Sequence, residues 1–193
     1  YLAPFTLPVR NATAVELVGY YAVINIAVAI LNTLRPWKIL NQIAFLVTVC
    51  VGGGYAFYQG DVSQRNALSL LIVLHTAIFV WLSFRFSQLL AKADVEQFKL
   101  KPALDLALIF GAPMIAYIFI YFMYFDEKIW QAGASLVFAL VYALLYQASK
   151  HHHAVSLISQ SYFSLMLIFL VLIPPILLPE QWSVMGWAVE GLM

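Results

Sequence analysis

Ala67-Leu-Ser-Leu-Leu-Ile-Val-Leu-His75-Thr-Ala-Ile-Phe-Val-Trp-Leu-Ser-Phe84 is a run with no formal charge and no helix breaker. At a rise of about 1.5 Å per residue, a helix of this length matches the hydrocarbon core of a bilayer. One histidine, His75, sits at its middle, and the loop that follows carries Lys92, Lys99 and Lys101. The rest of the chain reads as further spans arranged around this one.

Composition supports that reading. The 193 residues are 64% hydrophobic and 10% charged, whereas a soluble domain holds about 45–50% apolar and roughly 25% charged residues. Such a chain cannot cover its own surface with polar groups, so the apolar excess must face lipid. A net charge of +1 without a basic stripe gives no case for nucleic acid as a partner. The single cysteine, Cys50, lies in an apolar run. It excludes an internal disulfide and a cysteine-based metal site, and is expected to be a small core residue.

The expected fold is all-α: a polytopic transmembrane helix bundle with six full spans and the start of a seventh. Span one runs from about Ala14 to Leu34 and span two from about Ile39 to Tyr58. Span three continues to about Leu90, span four covers Ala103 to Tyr124, span five Ile129 to Ala148, and span six Val155 to Ile173. Pro174-Pro175 closes span six, and a seventh helix begins near Gln181. Tyr1 to Pro8 is an apolar, proline-bearing lead-in. Asn11-Ala12-Thr13 matches a glycosylation triplet, with chance the preferred reading unless the source is a eukaryote. The turns are Arg35-Pro36-Trp37-Lys38, Gln59 to Asn66, Ala91 to Pro102, Asp126-Glu127-Lys128 and Lys150-His151-His152-His153. The first residue is Tyr1 and the last dozen look like a helix cut short. The expectation is a single transmembrane helical domain over 1–193 that is a fragment of a longer polypeptide.

Lys and Arg distribution sets the orientation. The loops after spans one, three and five hold Arg35, Lys38, Arg85, Lys92, Lys99, Lys101 and Lys150, and the other side holds Arg10, Arg65 and Lys128. The first set is expected to be cytoplasmic, with Tyr1 outside.

Polar residues at membrane depth are the candidate site, because ionisable groups there cost free energy unless paired or lining a cavity. His75 falls roughly 13 Å below the start of span three, and Glu190 roughly 12 Å below the start of the seventh helix. Asn25 of span one falls near the same level. The three could form a proton or substrate contact, or a satisfied structural hydrogen-bond cluster. Arg85 and Asp105 share a depth near the inner membrane face and are expected to form a structural ion pair. Removing one partner of a fully buried pair costs on the order of 3–5 kcal/mol. Gly52-Gly53-Gly54 in span two, with Gly52 and Ala56 as a small-xxx-small pair, reads as tight helix packing rather than a gating hinge. Gly111 and Pro113 interrupt span four, where a kink is expected.

Three consecutive histidines on a helix diverge by about 100° each, so His151, His152 and His153 cannot converge on one ion. No metal and no cofactor is expected. No phosphate-cradling glycine loop, nucleophile elbow or zinc-protease pattern occurs, which leans against an enzyme.

Several segments resemble one bacterial family. Tyr1-Leu2-Ala3-Pro4 resembles a Gly-Gly-Phe-Leu-Ala-Pro stretch without its glycines, and Tyr20-Tyr21-Ala22 with Asn25 resembles Tyr-Tyr-Ala-Leu-Leu-Asn. Trp37, Leu40, Asn41, Phe45 and Thr48 follow the next span's pattern. Asp105 with Phe110-Gly111-Ala112-Pro113 resembles Asp-Gly-Thr-Leu-Val-Phe-Gly-Thr-Pro, departing at Leu106 and Ala112. Trp187-Ala188-Val189-Glu190-Gly191 resembles Trp-Ala-Leu-Glu-Gly, with valine for leucine. The family is domain of unknown function 2339, a group of long multi-pass membrane proteins. The resemblance implies a Gram-negative inner-membrane protein with many more spans, often preceded by a coiled coil, and implies no known reaction. It directs interest to Asn25, Asp105 and Glu190. The functions weighed are an envelope-associated scaffold or assembly component, a transporter or carrier of a small or lipid-linked substrate, and an intramembrane enzyme. Membrane lipids and other envelope proteins are the expected partners.

Overall fold

The computed structural model describes residues 12–34, 38–92, 103–150, 156–178, 184, 187–188 and 191. The described residues are helical with short turns, and none lies in a strand. In order they form α1 (Ala14–Leu34), α2 (Lys38–Val47), a π-helical segment (Thr48–Gly53) and α3 (Gly54–Gln59). A 3-10 turn (Val62–Gln64) leads into α4 (Arg65–Lys92), followed by α5 (Ala103–Met123), α6 (Lys128–Ser149), α7 (Ser156–Val171) and α8 (Ile173–Leu177).

Five stretches among the described residues are long and apolar enough to cross a bilayer: Ala14–Leu34, Ile39–Gln59, Val62–Arg85, Lys128–Ser149 and Ile158–Leu177. The apolar part of α5, Leu108–Met123, is shorter, so the described residues give five full candidates where six spans and part of a seventh were expected. Turn Arg35-Pro36-Trp37, most of the loop after α4, His151–His153, Trp182 and Glu190 lie outside the described residues.

Local chemistry accounts for the ends. Thr13 and Glu16 close a capping box at the start of α1: the Thr13 N–H donates to Glu16 Oε2 at 2.8 Å, and the Glu16 N–H donates to Thr13 Oγ1 at 3.3 Å. Thr13 therefore serves the helix that follows it. Pro174-Pro175 does not end the apolar stretch as expected. The prolines occupy the first turn of α8, where a missing N–H is tolerated because it would have no helical partner.

The chain divides into two compact units, one of Tyr1–Phe86 with Leu100–Ala116, the other of Ser87–Lys99 with Tyr117–Met193. In the first, Val28, Ala44, Ile78, Phe79, Leu82, Leu108 and Ala112 form the core, with Phe45 packed against it. The Phe45 and Phe79 rings meet edge-on at 5.2 Å. In the second, Phe138 stacks on Phe169 at 4.9 Å, with Tyr117 and Tyr142 on the same ring. The opposite face of α6 is bare: Leu136, Val137, Leu140 and Leu144 are exposed while Ala132, Ser135, Ala139 and Tyr142 are buried. An inverted surface of this kind is what a lipid solvent selects, since lipid tails are as apolar as leucine.

Candidate functional site

The first unit holds a layer of polar side chains between apolar ones. Asn25 is 1% exposed, and its Nδ2 donates to Thr48 Oγ1 at 2.8 Å. The Thr48 hydroxyl in turn donates to the Ala44 carbonyl at 2.7 Å. Thr48 thus ties α1 to the helix opposite. A backbone polar group left bare in hydrocarbon costs several kcal/mol by its order of magnitude, so side chains that reach carbonyls are favoured there.

The register is fixed at both ends of this helix pair. At one end Tyr55 Oη donates to the Ala12 carbonyl at 2.7 Å. At the other, Asn32 Nδ2 donates to Asn41 Oδ1. The pair is therefore antiparallel. Asn25 lies one turn from Val28 and Thr48 one turn from Ala44. Asn25 and Thr48 meet at one level, and His75 lies one turn from its own core residues, Ile78 and Phe79.

The helix opposite changes its winding at this level. Thr48–Gly53 is π-helical, and the Gly54 N–H reaches back to the Val49 carbonyl. A π turn is rare and often marks a functional position. Glycine makes room for it: a Cβ on Gly52 would lie 3.0 Å from Cδ2 of Tyr21, which is fully buried. Gly54 has nothing within 4 Å. Packing is thus the role of Gly52, while Gly54 only allows the helix to resume. Gly111 is a second close approach, with the Phe45 ring 3.2 Å from where its Cβ would be. Pro113 is buried two residues further on, and α5 continues through it.

His75 is 7% exposed. Its Nδ1 lies 2.8 Å from the Leu71 carbonyl. A carbonyl only accepts, so Nδ1 carries the proton, and in a neutral ring Nε2 presents its lone pair. Nε2 is buried and has no hydrogen-bond partner among the described residues.

The remaining sequence candidates fall as follows. Glu190 lies outside the described residues, so its part in the level is an expectation only. Arg85 is half-buried near the end of the described side chains of α4. Asp105 sits in the first turn of α5, and its side chain is outside those described. Cys50 corrects an expectation: it is exposed, on the outer face of the π segment, where lipid replaces a core. Among the described residues, no three His, Cys, Asp or Glu gather as a metal set.

The family whose description reads "Predicted membrane protein (DUF2339)" matches residues 1–193. The chain belongs to the DUF2339 family. No curated protein and no solved structure matches it. As a DUF2339 membrane protein, it uses two of its motif residues in ways spacing alone did not reveal. Thr48 is the partner of Asn25. Trp187 donates its indole N–H to the Val171 carbonyl at 3.1 Å. Pro175 has no N–H to offer that carbonyl four residues on, so Trp187 completes the end of α7. The Thr13-x-x-Glu16 capping pattern was readable in the sequence; the Asn25–Thr48 pairing was not, because the two residues are 23 positions apart.

Proposed function

We propose that this DUF2339 chain is a scaffold or assembly component of the bacterial inner membrane. The observation that supports it is how the intramembrane polar groups are spent. Asn25, Asn32, Tyr55, Ser135 and Trp187 each bond to another segment of the chain rather than to a shared cavity. Polar side chains used this way hold helices together where no hydrophobic effect drives them. The proposal includes six spans plus the start of a seventh, with α5 crossing fully, Tyr1 outside, and the loops after spans one, three and five in the cytoplasm. It also includes the Arg85–Asp105 ion pair as a structural tie. Its partners are membrane lipids and other envelope proteins. Photo-crosslinking from the exposed face of α6, with the photoreactive residue at Leu140, tests it in cells. A scaffold gives a discrete, reproducible protein adduct; lipid adducts alone would overturn it.

A second reading, transport of a small or lipid-linked substrate through a layer of Asn25, His75 and Glu190, is favoured by one observation, the buried and unpartnered Nε2 of His75. Solute uptake by proteoliposomes that disappears in His75→Phe separates it from the scaffold. No catalytic group is assigned.

A further inference from the structure

We propose that the level of His75 in the first unit is a binding site for a neutral hydroxyl donor, held by the lone pair of His75 Nε2. The inference deepens the second of the two functional readings, since an occupant of this level is what a carrier would hold. It does not require that anything be transported.

Four observations lead to it. First, the Nδ1–H bond to the Leu71 carbonyl turns that side of the ring toward its own helix. Nε2 is on the far side of the imidazole and so points away from the α4 backbone, into the packed unit. Second, Nε2 is buried and unbonded, and a buried acceptor without a donor carries an uncompensated desolvation cost. Third, the polar side chains nearest it in register each bond to another group. Asn25 Nδ2 donates to Thr48, Thr48 Oγ1 to the Ala44 carbonyl, and Thr76 Oγ1 to the Ile72 carbonyl. Fourth, the helix paired with α1 turns π-helical from Thr48, a wider turn than the helix on either side of it.

The charge pattern selects the ligand. Residues 17–60 contain no Asp or Glu, and residues 66–84 contain no charged residue. Asp105 precedes the core residues Leu108 and Ala112 by one and two turns of α5. A cation at this level would have no counter-charge from α1, α2, the π segment or α4, and an anion would be repelled by the lone pair. An uncharged O–H group, from water or from a membrane-soluble alcohol, satisfies Nε2 without adding charge to the bilayer interior.

Nitrogen-15 NMR of the full chain in phosphatidylethanolamine–phosphatidylglycerol nanodiscs tests this. His151, His152 and His153 are replaced by Gln, leaving His75 as the one histidine of residues 1–193. Should that variant fail to purify, the wild-type spectrum minus that of His75→Gln isolates the same signal. The expected result is a protonated Nδ1 and an unprotonated Nε2 shifted as a hydrogen-bond acceptor. A correlation from Nε2 to water protons identifies water as the occupant. A shift that develops only with added octanol, and not with octane, identifies a membrane-borne hydroxyl. An Nε2 resonance at the unbonded position, unmoved by octanol, overturns the proposal, as does a ring proton on Nε2. Failure of proteoliposome uptake with the hydroxyl correlation intact removes the transport reading and leaves the site standing.

Discussion

At the scale of single residues, the membrane interior makes every polar side chain answerable for a partner. Asn25 and Thr48 meet this by bonding each other across two helices. Their coupling, measured by a double-mutant cycle of Asn25→Ala and Thr48→Ala under detergent unfolding, should be about 0.6–2 kcal/mol, the range of interhelical hydrogen bonds in bilayers. Trp187 answers for a carbonyl that Pro175 cannot serve. Trp187→Phe keeps the ring and removes the donor, so it should lower stability by about 1–3 kcal/mol in the same assay. Outside the spans, the Ser63 hydroxyl and then the Val62 backbone N–H hold the Asp61 carboxyl below its ordinary value of 3.8. A carboxyl lowered on folding adds stability above its unfolded pKa and loses it as pH falls through the folded one. Ser63→Ala should therefore move the Asp61 titration up, toward 3.8, when followed by carbon-13 NMR.

At the scale of elements, the glycine run of the second span separates into residues with different duties. Gly52 faces the Tyr21 ring, and that ring is fully buried and has no room to yield. Gly52→Ala should cost about 1–3 kcal/mol as an overpacking change. Gly54→Ala meets nothing within 4 Å. Alanine is the better helix former by about 1 kcal/mol, so this change should be neutral or stabilising. Gly111→Ala should fall between them, because the Phe45 ring it meets is only half-buried and can shift. Thermal unfolding of the three variants should rank them in that order; equal effects at Gly52 and Gly54 would remove the packing account of the π segment.

At the scale of the whole molecule, the proposed topology, with the loops after spans one, three and five in the cytoplasm, rests on the unequal sharing of Lys and Arg between alternate loops. A Cys50→Ala background permits a direct check. A cysteine at Ser63 should react with a membrane-impermeant maleimide in intact spheroplasts, and one at Lys150 only after lysis. The reverse pattern would invert the topology and, with it, the side from which His75 is reached. Family membership over residues 1–193 fixes the solvent of the fold as a bilayer. It leaves the choice between scaffold and carrier to the experiments on Leu140 and His75.

Sequence alone determined that the described residues are helical and where most of the helices begin. Ala14–Leu34 and Ala103–Met123 follow from apolar runs that each carry one acidic residue, Glu16 or Asp105, in the first turn and are bounded by charge and turn residues. Span formation is a local matter in lipid, where each helix must satisfy its own backbone. Sequence also singled out Asn25 and His75 as polar residues at depth. Tertiary structure decided what they do. Whether a polar group is satisfied depends on a neighbouring helix: Thr48 completes Asn25, while Nε2 of His75 finds no donor. It also decided the face on which Cys50 lies and the π winding at Thr48–Gly53. It decided as well the close approach of Gly52 to Tyr21, a contact between residues 31 positions apart that no periodicity along the chain encodes.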